Sequence, residues 1–413
     1  MLATNHVLVL NKVKPVYAKE VNYLKHKFCG SVFTDMKDVK PESKSTLYFA
    51  GDASTVPKKS YVIVELSYNI PGKDTWLIKL GELPIDVHGV GVYFRRLFND
   101  DVMYHNEIAE VHKFQELTES NKEGKAYRTG LYITDVTEVK NKTYFNLLRC
   151  STNLDGPTEG CGKIDDDILD AVDWQRNKFL PGTETINHVL AQIYHNKIVN
   201  EKSRKARISE HSDKTKDMPE KGVIAFCTFY ENYSAEKGFV EDRLKCLKPG
   251  EEDPWDFCYK GRTSALTKLR FRLKPQALAV KKYAACTQKF DVTLYPNSVF
   301  LLPLEMNQIY THAIIPSTLP IDKLPTRMGY VARCSNTKAV FKNGTTYIRD
   351  SNGEKNVPLV EPDAEGVKRL KDLYRVENLT IDRPKYEGFY FSLNRGDYTK
   401  PIYRGVDEEV INV

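Results

Sequence analysis

The stretch ISEHSDK, residues 208–214, sets a histidine and an aspartate two positions apart. If the stretch is a strand, His211 and Asp213 project from one face, because side chains alternate along a strand. An imidazole and a carboxylate side by side can grip one metal ion. Beyond His195 the chain holds only His211 and His312. Brought in from a distant strand, His312 would complete a set of two imidazoles and one carboxylate. That donor set leaves coordination positions open and suits non-haem Fe(II). The plainer alternative is a surface histidine at 211 and a hydrogen-bonded core histidine at 312.

The residues after His312 bear on the choice. They read THAIIPSTLPIDKLPTRMGYVARCS. Arg327 and Arg333 are six apart, so on a strand they share a face, in an otherwise apolar MGYVA run. An inward arginine needs an anion. Guanidinium pairs well with carboxylate, through two parallel hydrogen bonds. A dicarboxylic cosubstrate beside the metal would supply one; a structural Asp or Glu is the other option.

HxD, a distal histidine and Arg-x5-Arg, in that order, resemble the Fe(II)/2-oxoglutarate dioxygenases, and specifically their AlkB-like branch. The likeness extends to NHVLAQIY, where Tyr194 matches the family's tyrosine and Gln192 stands in place of its asparagine. It also extends to VTLYPNSVFLLPLEMNQIYTHAI, with Asn307 and Tyr310 flanking the site, and covers about residues 184–340. The resemblance implies Fe(II) on His211, Asp213 and His312. It implies 2-oxoglutarate chelating that metal, with its far carboxylate on Arg327 and Tyr194 as a hydrogen-bond partner. Dioxygen is the second cosubstrate, and the reaction hydroxylates a C–H bond. Arg333 either touches the cosubstrate or supports Asp213.

The substrate that the resemblance favours is a methyl group on a nucleobase, so DNA or RNA is the expected partner. The family's acidic base-recognition position, two after HxD, is Thr215 here, and Asp217 lies two further on. In LTKLRFRLK, alternation sets Lys268, Arg270, Arg272 and Lys274 on one face, either a phosphate-contacting stripe or a solvated outer face. Lys202, Arg204, Lys205 and Arg207 precede HxD and could steer a polyanion. A protein side-chain or small-molecule hydroxylase, and a non-enzymatic binding jelly roll, stay open as alternatives.

The elements that carry these residues are mainly strands. From Glu184 the runs TINHVLAQIY, ARISEHSD, GVIAFCTFY, ALTKLRFRLK, KFDVTLY, SVFLLPL, IYTHAII and MGYVARC follow one another at the spacing of a sandwich or jelly roll. The expected class is α+β, mainly β, and the resemblance makes the core a double-stranded β-helix. Residues 1–150 read as an N-terminal mixed β-rich domain or extension, 151–345 as the jelly-roll domain with an insertion at 231–261, and 346–413 as a C-terminal extension. DDDILDAVDWQRNKF and the stretch near GVKRLKDLY read as helices.

A net charge of +6 over 413 residues permits a polyanionic partner without requiring one. None of the eight cysteines stands at CxxC spacing, which argues against a zinc knuckle or redox motif. The N-terminus lacks the basic region of a signal peptide. No apolar run reaches about 18 residues, so no membrane span is expected. The expected compartment is intracellular, cytoplasmic or nuclear.

Overall fold

The runs HVLAQIY, VIAFCTFY and RMGYVAR are buried along nearly all of their length. Runs without a polar face belong in the middle of a sheet covered on both sides, and there they lie. The structure is a computed structural model that describes residues 5–39, 45–72, 74–98, 101–119, 125–150, 152–233, 266–318, 320–321, 324–349 and 355–404. Most of the insertion expected at 231–261, with Cys246 and Cys258, falls outside the described residues, as does 405–413.

The architecture is mainly β with few helices. Nine strands build the site. They are β1 Lys125–Thr134, β2 His188–Tyr194, β3 Ile208–His211, β4 Val223–Tyr230, β5 Lys268–Leu273, β6 Lys289–Thr293, β7 Ser298–Pro303, β8 Tyr310–Ile315 and β9 Arg327–Arg333. One sheet has the order β2-β9-β4-β7, and a second has β3-β8-β5-β6. Every pairing within these two sets is antiparallel. The chain therefore crosses repeatedly from one sheet to the other.

The first sheet continues past β2 to β1 and past β7 to Gly91–Phe94 and Ile85–Val87, ten strands among the described residues. Strands from both sides of residue 150 thus share it. Between the sheets, Phe226, Phe271, Phe290, Phe300 and Tyr310 join one apolar cluster. On the outer face, helix α1 (Lys163–Phe179) presses Ile168, Val172 and Phe179 into a cluster with Val189, Ala191 and Tyr330. Burying each such side chain stabilises the fold by about 1.5–3 kcal/mol.

Residues 6–78 form a separate five-stranded sheet whose strands all run parallel. Helix α2 (Ala364–Leu379) starts at Asp363, whose side chain accepts from Gly366 N at 2.6 Å, the usual stabilisation of an otherwise unpaired first-turn amide. Its buried residues are Leu370, Tyr374 and Glu377, at helical spacing. No described helix is long and apolar enough to cross a membrane.

Candidate metal centre and anion pocket

Pairing of β3 with β8 sets His211 directly opposite His312. The two imidazole centroids are 4.5 Å apart. Strand β3 ends at His211, so Asp213 does not reach the site by alternation along a strand. It lies in the irregular segment that follows, and separate contacts bring it round. Its Oδ1 is 3.6 Å from Nε2 of both His211 and His312. One ligand atom from each of the three residues falls within 4.8 Å of the others.

His211 and Asp213 are oriented by partners, whereas His312 Nδ1 is buried without one among the described residues. His211 Nδ1 donates to the Ser209 carbonyl at 2.9 Å, which turns the Nε2 lone pair toward the centre. Asp213 Oδ2 accepts from Arg333 Nε at 2.8 Å, so of the two roles open to Arg333 it takes the support of Asp213. The Asp213 N–H donates to Asn307 Oδ1 at 2.9 Å, and Asn307 Nδ2 donates back to the Asp213 carbonyl at 3.0 Å. Burial opposes ionisation of Asp213. The Arg333 guanidinium outweighs it and holds the carboxyl well below the usual range. Burial, with His211 adding to it, pushes His312 down to about 3. At neutral pH, His312 is a neutral imidazole and Asp213 a carboxylate, the protonation states that a metal requires.

A second feature sits on the first sheet. The register across β2, β9 and β4 aligns Tyr194 with Arg327 and Tyr230, and Gln192 with Gly329 and Thr228. The Arg327 guanidinium lies over the Tyr194 ring, 3.9 Å from its centre. Its Nη2 is buried without a hydrogen-bond partner among the described residues. An unpaired buried guanidinium nitrogen is costly, and an anion relieves that cost. Gly329 keeps the space open: a Cβ there would fall 3.1 Å from Arg327 Nη1 and 3.3 Å from Tyr194 Cε2. The Tyr194 hydroxyl donates to Gln192 Oε1 at 3.3 Å, and Arg128 Nη1 donates to the same oxygen at 3.4 Å.

The three candidate metal ligands, Arg327, Arg333, Tyr194 and Gln192 all line one cavity of about 1330 Å³. Apolar walls come from Leu190, Phe226, Leu269, Ile314 and Val331. The cavity also takes in Arg128, Arg204, Arg207, Lys371 and Arg375, all but the half-buried Arg128 exposed. Two acids, Glu210 and Asp372, accompany these cations, and Glu210 is already paired with Arg272 at 3.1 Å.

Lys205 also lines the cavity, its ammonium donating to the Ser317 carbonyl at 2.7 Å, whereas Lys202, Thr215, Lys268, Arg270, Arg272 and Lys274 do not reach it. Thr215 is buried, with its amide and hydroxyl both donating to Glu377 Oε1. Arg270 is paired with Asp291 at 2.7 Å, and Lys268 stands on the same strand, half-buried. Lys274 departs from the expected cationic stripe. It is buried, and its ammonium donates to the carbonyls of Glu377 and Thr380. Strand β5 ends at Leu273, so alternation no longer governs position 274.

Sequence reasoning missed helix α2 as part of the site. Lys371, Tyr374, Arg375 and Asn378 line the cavity. Their spacing of three and four sets them on one helix stripe. That stripe was the available signal, yet a mixed polar stripe is also what any solvated helix shows.

No protein-family model matches the chain, and no curated protein matches it. Among solved structures it is similar to a Pseudomonas putida prolyl-4-hydroxylase, at 12% identity over 56% of this chain and 82% of that one, TM-score 0.28. It is similar to OsALKBH1 at 12% identity over 61% and 99%, TM-score 0.32. It is also similar to the Fe(II)/(alpha)ketoglutarate-dependent dioxygenase TqaL, at 7% identity over 56% and 72%, TM-score 0.23. Likenesses this weak carry no argument about the chemistry, which rests on the residues themselves.

Proposed function

We propose that the protein is an Fe(II)- and 2-oxoglutarate-dependent dioxygenase with a jelly-roll core, and that it hydroxylates a methyl group on a nucleobase. One observation carries the dioxygenase reading: two histidines and an ionised aspartate converge in the same cavity as a buried arginine with an unpartnered nitrogen. The strand orders β2-β9-β4-β7 and β3-β8-β5-β6 fit a double-stranded β-helix. The donor set fits Fe(II) with open positions, and the pocket at Arg327 and Gly329 fits the far carboxylate of a dicarboxylic acid.

Bound Fe(II), with 2-oxoglutarate and dioxygen, would supply the oxidising power for a C–H bond. The chain's own residues do the positioning. Arg327 binds the distal carboxylate with charge-assisted hydrogen bonds, and Tyr194 braces the guanidinium from beneath. Arg333 keeps Asp213 anionic and aimed. Phe226, Leu269 and Val331 keep the wall dry, which strengthens each electrostatic contact.

The nucleic-acid part of the reading is supported by the cations at the cavity, Arg128, Arg204, Arg207, Lys371 and Arg375. Cations around an opening raise the local concentration of a polyanion. The test is succinate production from Fe(II), 2-oxoglutarate and oxygen, with wild type, His211→Ala and Arg327→Ala, each with and without methylated DNA and RNA oligonucleotides. Succinate from wild type alone, accelerated by an oligonucleotide, is the predicted result. Succinate without any acceleration would move the substrate to a protein side chain or a small molecule. None from wild type would remove the dioxygenase reading.

A further inference from the structure

Asp213 sits outside any strand, yet a metal ligand must be held within a fraction of an ångström. From the core side, Asn307 and Arg333 hold it. From the other side, the last turns of α2 take up its neighbours. Asn378 Oδ1 accepts from the Ser212 amide at 2.9 Å and from Lys214 Nζ at 2.6 Å. Lys214 Nζ also donates to the Ser212 and Tyr374 carbonyls at 3.0 and 3.1 Å. Glu377 Oε1 accepts from the Thr215 amide at 3.0 Å and from the Thr215 hydroxyl. The helix end is itself pinned, because buried Lys274 donates to the carbonyls of Glu377 and Thr380.

Resting on the metal-site reading, we infer that helix α2 is a positioning element for the metal centre and that Asn378 is its principal positioning residue. Ser212, Lys214 and Thr215 are bound to the helix while Asp213 between them faces the histidines. The segment can then turn inward only at Asp213. Asn378 makes no hydrogen bond to His211, Asp213 or His312 among the described residues. It acts through the backbone of Ser212, next to the ligand. Removing such an outer partner typically weakens metal binding about 10–100-fold.

The test is anaerobic titration of the full chain with Co(II), read by its visible absorption, beside the urea midpoint of each variant. Asn378→Ala should bind Co(II) at least about tenfold more weakly and show an altered spectrum. Asn378→Asp keeps an oxygen acceptor facing Ser212 and Lys214, and should restore both. Asp363→Ala loosens the far end of the same helix without touching 212–215; it should lower the urea midpoint and leave Co(II) affinity alone. If Asn378→Ala binds Co(II) like wild type, or if Asp363→Ala weakens binding as much, the positioning role is overturned while the metal site stands. A wild type that binds no Co(II) overturns the metal-site reading and this inference together.

Discussion

Arg327 and Gly329 carry the sharpest residue-level expectations. Arg327→Ala removes a charged hydrogen-bond partner for the cosubstrate, worth about 1.5–3 kcal/mol. The KM for 2-oxoglutarate should rise about 10–100-fold, with Fe(II) affinity unchanged. Gly329→Ala puts a methyl group against the guanidinium and the Tyr194 ring. Overpacking by one methyl costs about 1–3 kcal/mol, and here it should fall on cosubstrate KM rather than on stability. A Gly329→Ala enzyme with unchanged KM would show that the cosubstrate lies elsewhere. At this scale the sequence was informative where residue type limits the chemistry. His211, His312 and the two arginines stood out by residue type, but the alternation expected to set Asp213 beside His211 does not operate, because the strand ends at His211. The role of Arg333 did not stand out, because cosubstrate and Asp213 are equally plausible partners for a guanidinium until Asp213 is placed 2.8 Å away.

Elements decide what surrounds those residues. At the start of α1, the buried imidazole of His112 bridges Glu159 at 2.8 Å and Asp165 at 2.7 Å. Burial opposes its charging, but the two carboxylates prevail and raise its pKa. A raised folded pKa adds stability that is fully present below the unfolded value of 6.5 and lost as pH rises through the folded value. His112→Gln leaves buried Asp165 without its cation and Glu159 with Arg404 alone, at 2.6 Å, and should cost about 3–5 kcal/mol. The loss, read by urea unfolding, should be larger at pH 6 than well above the folded pKa; an equal loss at both would remove the charge from the account. The helices at α1 and α2 were legible from their amphipathic spacing, and the strands from short runs of β-branched and aromatic residues between turn residues. Strand direction in the 6–78 sheet was not, since a short apolar run carries no information about its neighbour. Nor was the docking of α2 on residues 212–215, which depends on Asn378 and Glu377, residue types that ordinarily face water.

For the whole molecule, two responses follow from its charge and its buried groups. Arg204 and Arg207 lie at the cavity with exposed side chains. If they contact phosphates, Arg204→Ala and Arg207→Ala should each weaken oligonucleotide binding and lower the slope of log affinity against log salt by about one; an unchanged slope would take those arginines out of the interface. In the other response, burial pushes His188 down to about 3 from 6.5. A depressed folded pKa gives stability that is complete above the unfolded value and lost as pH falls toward the folded one. The urea midpoint should therefore drop progressively from pH 6.5 toward 3, and His188→Gln should flatten that drop; an unflattened drop would assign it to other groups. The closing of the site, by contrast, was hidden from any local reading, because β3 and β8 meet across a long stretch of intervening chain.

The metal and cosubstrate sites are tested together by an anaerobic titration with Fe(II) and then 2-oxoglutarate, run on wild type and four single variants. Wild type should bind one Fe(II) per chain. That binding should be lost or severely weakened in His211→Ala, Asp213→Ala and His312→Ala and kept in Arg327→Ala, which alone should bind the metal yet fail to bind 2-oxoglutarate tightly. Fe(II) binding undiminished in the His211→Ala, Asp213→Ala and His312→Ala variants, or 2-oxoglutarate binding indifferent to Arg327, would contradict these assignments.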